Sequence, residues 1–274
     1  MLDIMEVNYL QAMGYLPDWH ENLTLIDPSS IRGVQSKSNW DHIAVYTDPS
    51  GSTLSLFETT DGMSGESFTV HGKPRVSVEA WQLTPGLAEL TVVDDSGDVL
   101  TKILALVDDP QMYPVYPLKA VGEPARYDDY RLGAIAVEVD VFDDEEAWKK
   151  TQTPLDTSTS KTKDMVEDFP DEMYIGPRFI TSPWLFAVYG GQATAEEASA
   201  ISMFKAVCED VEIVVNRLTG TQWYRIQADC SIPVTLALPI STTPRPKVGS
   251  IVDGKAFLTG TTGFWLDDYQ DPYE

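Results

Sequence analysis

Three times the chain runs one strand-like stretch into a tight turn and straight out into another, which leaves no room for the crossover helices of a parallel sheet. Asp41–Glu58 turns at Asp48-Pro49-Ser50-Gly51, which supplies a side-chain acceptor, a preset φ and a glycine for positive φ. Leu87–Val107 turns at Asp94–Asp98, and Glu212–Ala228 turns at Leu218-Thr219-Gly220. Phe68–Val70 and Arg75–Leu83 read as further strands around a His71–Pro74 turn. An antiparallel meander is the expectation.

The last long run, Pro244–Gly260, reads as a closing strand. Pro244 and Pro246 hold the entry extended, and apolar side chains at both parities from Val248 to Thr259 fit a strand covered on both faces. Gly249, Gly254 and Gly260 within it point to bends or close backbone approach, as in a strongly curved sheet or barrel wall. Tyr130–Phe142 gives one more strand, with Ile135, Val137, Val139 and Val141 on one face.

Helices are fewer. Residues 2–13 place Leu2, Met5, Tyr9 and Met13 at helical spacing ahead of Gly14, and Asp143–Lys150 has acids first and lysines last. Thr194 with Glu197 forms a capping box, followed by Ala198, Ile201, Phe204 and Cys208 as an apolar stripe, so a packed helix is expected at about 194–208. Residues 108–131, rich in Pro, Gly and Tyr, make the best linker, and Thr151–Lys163 reads as an exposed loop. The fold expected is α+β and predominantly antiparallel β, with one or more curved or barrel-like sheets. It divides into a β-rich half over 1–115 and an α+β half over 116–274, or runs as one continuous domain.

The net charge of −24 is spread along the chain, −12 over residues 1–110, −7 over 111–190 and −5 over 191–274. A field of that sign repels phosphate backbones and anionic lipid, which argues against ordinary nucleic-acid binding and against a membrane surface. The acidic N-terminus, and the lack of an apolar run of spanning length, give a cytoplasmic protein as the expectation.

No motif assigns a reaction. His20, His42 and His71 are too far apart in sequence for a histidine metal cage, and each reads as a structural or surface residue. Cys208 and Cys230 read as small core residues, with no metal-ligand spacing. Nucleophile elbow, Walker loop and dinucleotide fingerprint are all missing from the sequence. Carboxylates are the abundant reactive group, paired at Asp108 and Asp109, Asp128 and Asp129, and Asp267 and Asp268. Asp94, Asp95 and Asp98 read as an exposed hairpin turn in preference to a calcium loop. The tail from Trp265 to Tyr273 mixes aromatics and acids and is expected to pack back on the sheet.

The Asp48–Gly51 turn ahead of Leu54–Glu58 resembles the final hairpin of glyoxalase-type metal enzymes over about a dozen residues. The paired His and Glu ligands of that family's repeated units are missing, so neither metal nor activity carries over. The glycine-spaced closing strand is similar to those of small β-barrels such as OB folds, without their aromatic and basic binding face.

The sequence therefore assigns no catalytic residue, no cofactor and no metal. It favours a non-catalytic protein that binds a protein or a small ligand, with a homo-oligomer left open. The alternatives are a hydrolase- or isomerase-like enzyme using carboxylates or a histidine in a sheet-lined cleft, and a nucleic-acid mimic.

Overall fold

Strands dominate because turn residues recur every ten residues or so, and β-branched and aromatic side chains fill the intervals. The computed structural model describes residues 5–6, 8–37, 39–114, 122–156 and 172–266. Its strands begin with β1 (Met5–Glu6), β2 (Arg32–Lys37), β3 (Trp40–Asp48), β4 (Ser52–Thr59), β5 (Ser64–Val70), β6 (Val76–Thr84), β7 (Leu87–Val93) and β8 (Val99–Val107). They continue with β9 (Ala125–Phe142), β10 (Leu155–Asp156), β11 (Glu172–Met173), β12 (Phe179–Thr181), β13 (Ile201–Val215), β14 (Gln222–Asp229), β15 (Pro233–Pro239) and β16 (Ile251–Thr261). The α-helices are short: α1 (Tyr9–Ala12), α2 (Trp19–Leu25), α3 (Glu145–Lys149) and α4 (Pro183–Tyr189). The protein is α+β with a predominance of antiparallel strands.

The large sheet curls into two rings that share one ladder. β9 pairs antiparallel with β16 over most of its length, and β15, β14 and β13 return from β9 to β16 on one side. On the other, β6, β7 and β8 also lead from β9 back to β16, so strands from both halves of the sequence meet in one sheet. The contacts of β15 with β9 and of β16 with β8 are parallel. One core fills both rings, from Leu90 and Ile103 through Tyr130 and Ala134 to Phe204, Ile226 and Leu236. A separate antiparallel meander, β2-β3-β4-β5, lies against this sheet through Tyr46, Leu54, Phe68 and Val70, which pack with Ile135, Trp223 and Ala237.

The curvature expected from the closing strand has a local cause in Gly254. Its φ is +152°, its register with β9 is broken next door between Lys255 and Ala256, and a Cβ would collide with the Glu138 carbonyl oxygen. Gly254→Ala is expected to lower stability by at least about 2 kcal/mol in denaturant titration, since both strain and backbone contact oppose the methyl group.

The helix expected at about 194–208 is instead strand β13. Glu197 does accept from the Thr194 N–H (2.8 Å), so half of the capping box forms, but the chain extends from Ile201. Inward residues alternate as Ser202, Phe204, Ala206 and Cys208, and the Ser202 hydroxyl is satisfied in the core by Ser182 at 2.6 Å. That buried serine disguised a period of two as a period near four. Of the N-terminal helix only Tyr9–Ala12 forms, capped by Asn8, whereas Met5, expected within it, lies in β1 opposite Val139. The apolar run at Trp184–Tyr189 forms α4. The expected linker is ordered at both ends, where Asp108, Asp109, Tyr127 and Tyr130 are buried. Residues 115–121 within it, 157–163 of the expected loop and 267–274 of the tail lie outside the described residues.

Candidate functional site

A cleft of about 600 Å³ opens where the meander meets the ringed sheet. Arg32 and Thr47 reach it from β2 and β3, His71 and Arg75 from the turn between β5 and β6, Arg131 from β9, and Trp265 from the segment after β16. Three of the eight arginines of a strongly acidic chain thus line one concavity. Among the described residues Asp48 is the acid in its wall, and its oxygens accept from Tyr46 Oη, Ser50 N and Arg217 N, each at 2.9 Å. That carboxylate is committed to the β3–β4 turn and the loop after β13.

Each arginine is held in place. Arg32 Nη1 donates to the Trp265 carbonyl, which ties the meander to the C-terminal segment. Arg75 Nη1 donates to the carbonyls of Gly72 and Lys73 at 2.7 Å, and its Nε pairs with Asp129 at 2.8 Å. Arg131 is 4% exposed, and Gly263, at φ +86°, leaves no space for a side chain beside its guanidinium. Such pre-positioned planar groups recognise carboxylate or phosphate without a large ordering cost. The Thr47 hydroxyl, shielded from water, has no hydrogen-bond partner among the described residues. A buried hydroxyl without a partner costs free energy.

Beneath the cleft lies a fully buried acid pair. Asp109 accepts from Tyr113 Oη (3.0 Å), Thr262 N (2.8 Å) and Thr262 Oγ1 (2.6 Å). Asp108 Oδ2 accepts from Thr69 (2.7 Å), its Oδ1 has no partner among the described residues, and its carbonyl receives Trp265 Nε1 at 2.8 Å. Tyr113 and Tyr130 hydroxyls join the network at 2.8 Å. Burial, and then the neighbouring Asp109 charge, push the Asp108 carboxyl up to about 8, so it carries a proton at neutral pH. Burial also raises Asp109, against the lowering effect of the Thr262 bonds. Tyr130 faces this pair and Arg131, one residue on, faces the cleft, which is the alternation of a strand put to two uses.

The other residues singled out in the sequence scatter. His20 is exposed on α2, and His42 stands on β3 near Asp41 and Glu58. Asp94 folds its own turn through Ser96 N and Asp98 N, Asp128 pairs with Arg126, and Asp129 with Arg75. Cys208 and Cys230 are free and buried, and burial raises both thiols to about 12, which makes them unreactive. Trp265 packs against the meander core as expected of the tail's first aromatic.

A second concavity of about 590 Å³ lies over β9 and β16, where Lys205 is bound to Asp253 (2.6 Å) and Gln152 (2.8 Å) and sits 5.3 Å from the Trp148 ring centre. Lys205 and Lys255, the cations of its lining, are paired with Asp253 and Glu138. No helix among the described residues is long and apolar enough to cross a membrane. Sequence reasoning missed the arginine cleft because Arg32, Arg75 and Arg131 lie in separate elements and share no local spacing. Comparison with protein-family models, with curated proteins and with solved structures gave no match.

Proposed function

We propose that the protein is a non-catalytic binder of a small anionic ligand, a carboxylate or phosphate compound, held in the arginine cleft. The observation that carries this reading is the convergence of Arg32, Arg75 and Arg131 on one concavity of a chain with net charge −24. An anion is repelled over most of such a surface and attracted where cations line a cleft, which favours selectivity over speed of capture. Trp265, packed against the meander core, and Thr47 complete the wall beside the arginines. Binding is favoured over catalysis because Asp108 and Asp109 are sealed below the cleft and Asp48 is occupied by its own hydrogen bonds.

Thermal melting in the presence of citrate and of inorganic phosphate tests the proposal. One of the two is expected to raise the melting temperature, with a gain that shrinks as sodium chloride is added. Arg32→Gln should weaken that ligand by about tenfold or more, equivalent to about 1.4 kcal/mol. A melting temperature indifferent to both anions, or a gain retained in full by Arg32→Gln, would overturn it.

A further inference from the structure

The solvent face of the meander brings together Asp41, His42 and Glu58. Cross-strand pairing sets Glu58 opposite His42, and a break in register between Trp40 and His42 makes Asp41 the extra residue of a β-bulge. The bulge has a visible consequence. Trp40 and Ile43 both point into the core, where Trp40 meets Phe57 edge to face at 5.5 Å, so the two residues between them both point outward. Strict alternation would have sent Asp41 into that core with Ile43. Instead it stands beside His42, as bulges elsewhere re-aim a side chain at a site.

The outcome is one imidazole nitrogen and two carboxylate oxygens, all within 4.8 Å of one another. His42 Nδ1 lies 3.5 Å from Asp41 Oδ2 and 3.8 Å from Glu58 Oε2. Ligands of a tetrahedral zinc ion stand roughly 3.4 Å apart, so small rotations of exposed side chains close the set. Neither acid is drawn to a lysine or arginine among the described residues; His42 is the partner of both. Two like charges on one face of a hairpin repel. A divalent cation removes that repulsion, and the negative field of the whole chain concentrates such ions at its surface.

We propose that Asp41, His42 and Glu58 form a surface site for a divalent transition-metal ion of the zinc class, with water completing its shell. One nitrogen and two carboxylate oxygens suit zinc better than calcium or magnesium, which take oxygen alone. The site is independent of the arginine cleft, and its charge preference is opposite.

Equilibrium dialysis of chelator-stripped protein against zinc, read by elemental mass spectrometry, provides the test, with calcium run in parallel. Wild type should take up one equivalent of zinc and no calcium. His42→Ala and Glu58→Gln should each weaken zinc by about tenfold or more, whereas Asp95→Asn, in an exposed turn, should not. All three positions are exposed or half-exposed, and a melting curve for each variant verifies that it is folded. Failure of wild type to bind zinc, equal uptake of calcium, or zinc binding unchanged in folded His42→Ala would each overturn the proposal.

Discussion

Asp109→Ala is expected to lower stability by about 3–5 kcal/mol, the largest effect of any single substitution in this network. The Asp109 carboxylate is 0% exposed and accepts from the Thr262 N–H, the Thr262 hydroxyl and the Tyr113 hydroxyl. Alanine leaves those donors facing a dry cavity, and each orphaned donor costs about 1–3 kcal/mol. Asp109→Asn should cost far less. Its oxygen can keep both Thr262 bonds, while its amide nitrogen donates to Tyr113, whose hydroxyl then donates onward to Tyr130 2.8 Å away. Urea unfolding monitored by tryptophan fluorescence would give both values as midpoint shifts at constant slope. An alanine variant within about 1 kcal/mol of wild type would mean that the donors find other partners.

The hairpins were legible because turn chemistry is local. Asp48-Pro49-Ser50-Gly51, Asp94–Asp98 and Leu218–Gly220 each connect the strands their residues imply, β3 to β4, β7 to β8 and β13 to β14. Curvature could be read from Gly254 because a strand has few other reasons for a glycine there. The helix expected at about 194–208 failed because there a local signal competed with a distant partner. Nothing around Ser202 announces that Ser182 will satisfy it inside the core, and without that fact its strand looks helical. The closure of two rings on a shared β9–β16 ladder was hidden for the same reason, since the pairing residues lie more than a hundred positions apart.

The cleft was hidden more deeply still. Asp108 and Asp109 were visible as a pair, yet their sequence context reads as a linker, and only the fold turns them into a buried floor under Trp265. The floor and the cleft are mechanically joined: Trp265 donates to the Asp108 carbonyl and accepts from Arg32. The protonation state of the floor in turn bears on the stability of the fold.

That protonation state sets the second large effect. Because Asp108 binds its proton more tightly folded than unfolded, a rise in pH from about 4 toward about 8 is expected to destabilise the protein. The unfolded carboxyl releases its proton near its ordinary value of 3.8, whereas the folded one holds it up to about 8. Across that window the folded state carries the additional proton, and one full proton amounts to a slope of about 1.4 kcal/mol per pH unit. Asp108→Asn supplies a neutral side chain of the same shape, with its oxygen toward Thr69 and its amide where the carboxyl proton sits. Its stability should match or fall slightly below wild type near the acid end of the window and exceed it near the alkaline end. Asp140, raised mainly by burial, slopes in the same direction and is common to both proteins, so the comparison subtracts it. Glu212, held down chiefly by its hydrogen bond to Arg225, contributes stability that is lost only below its ordinary range, on the acid side of the window. Urea midpoints of the two proteins measured across the window should therefore cross. Parallel profiles would mean that Asp108 is ionised in the folded protein, and that the acid pair is held by donors alone.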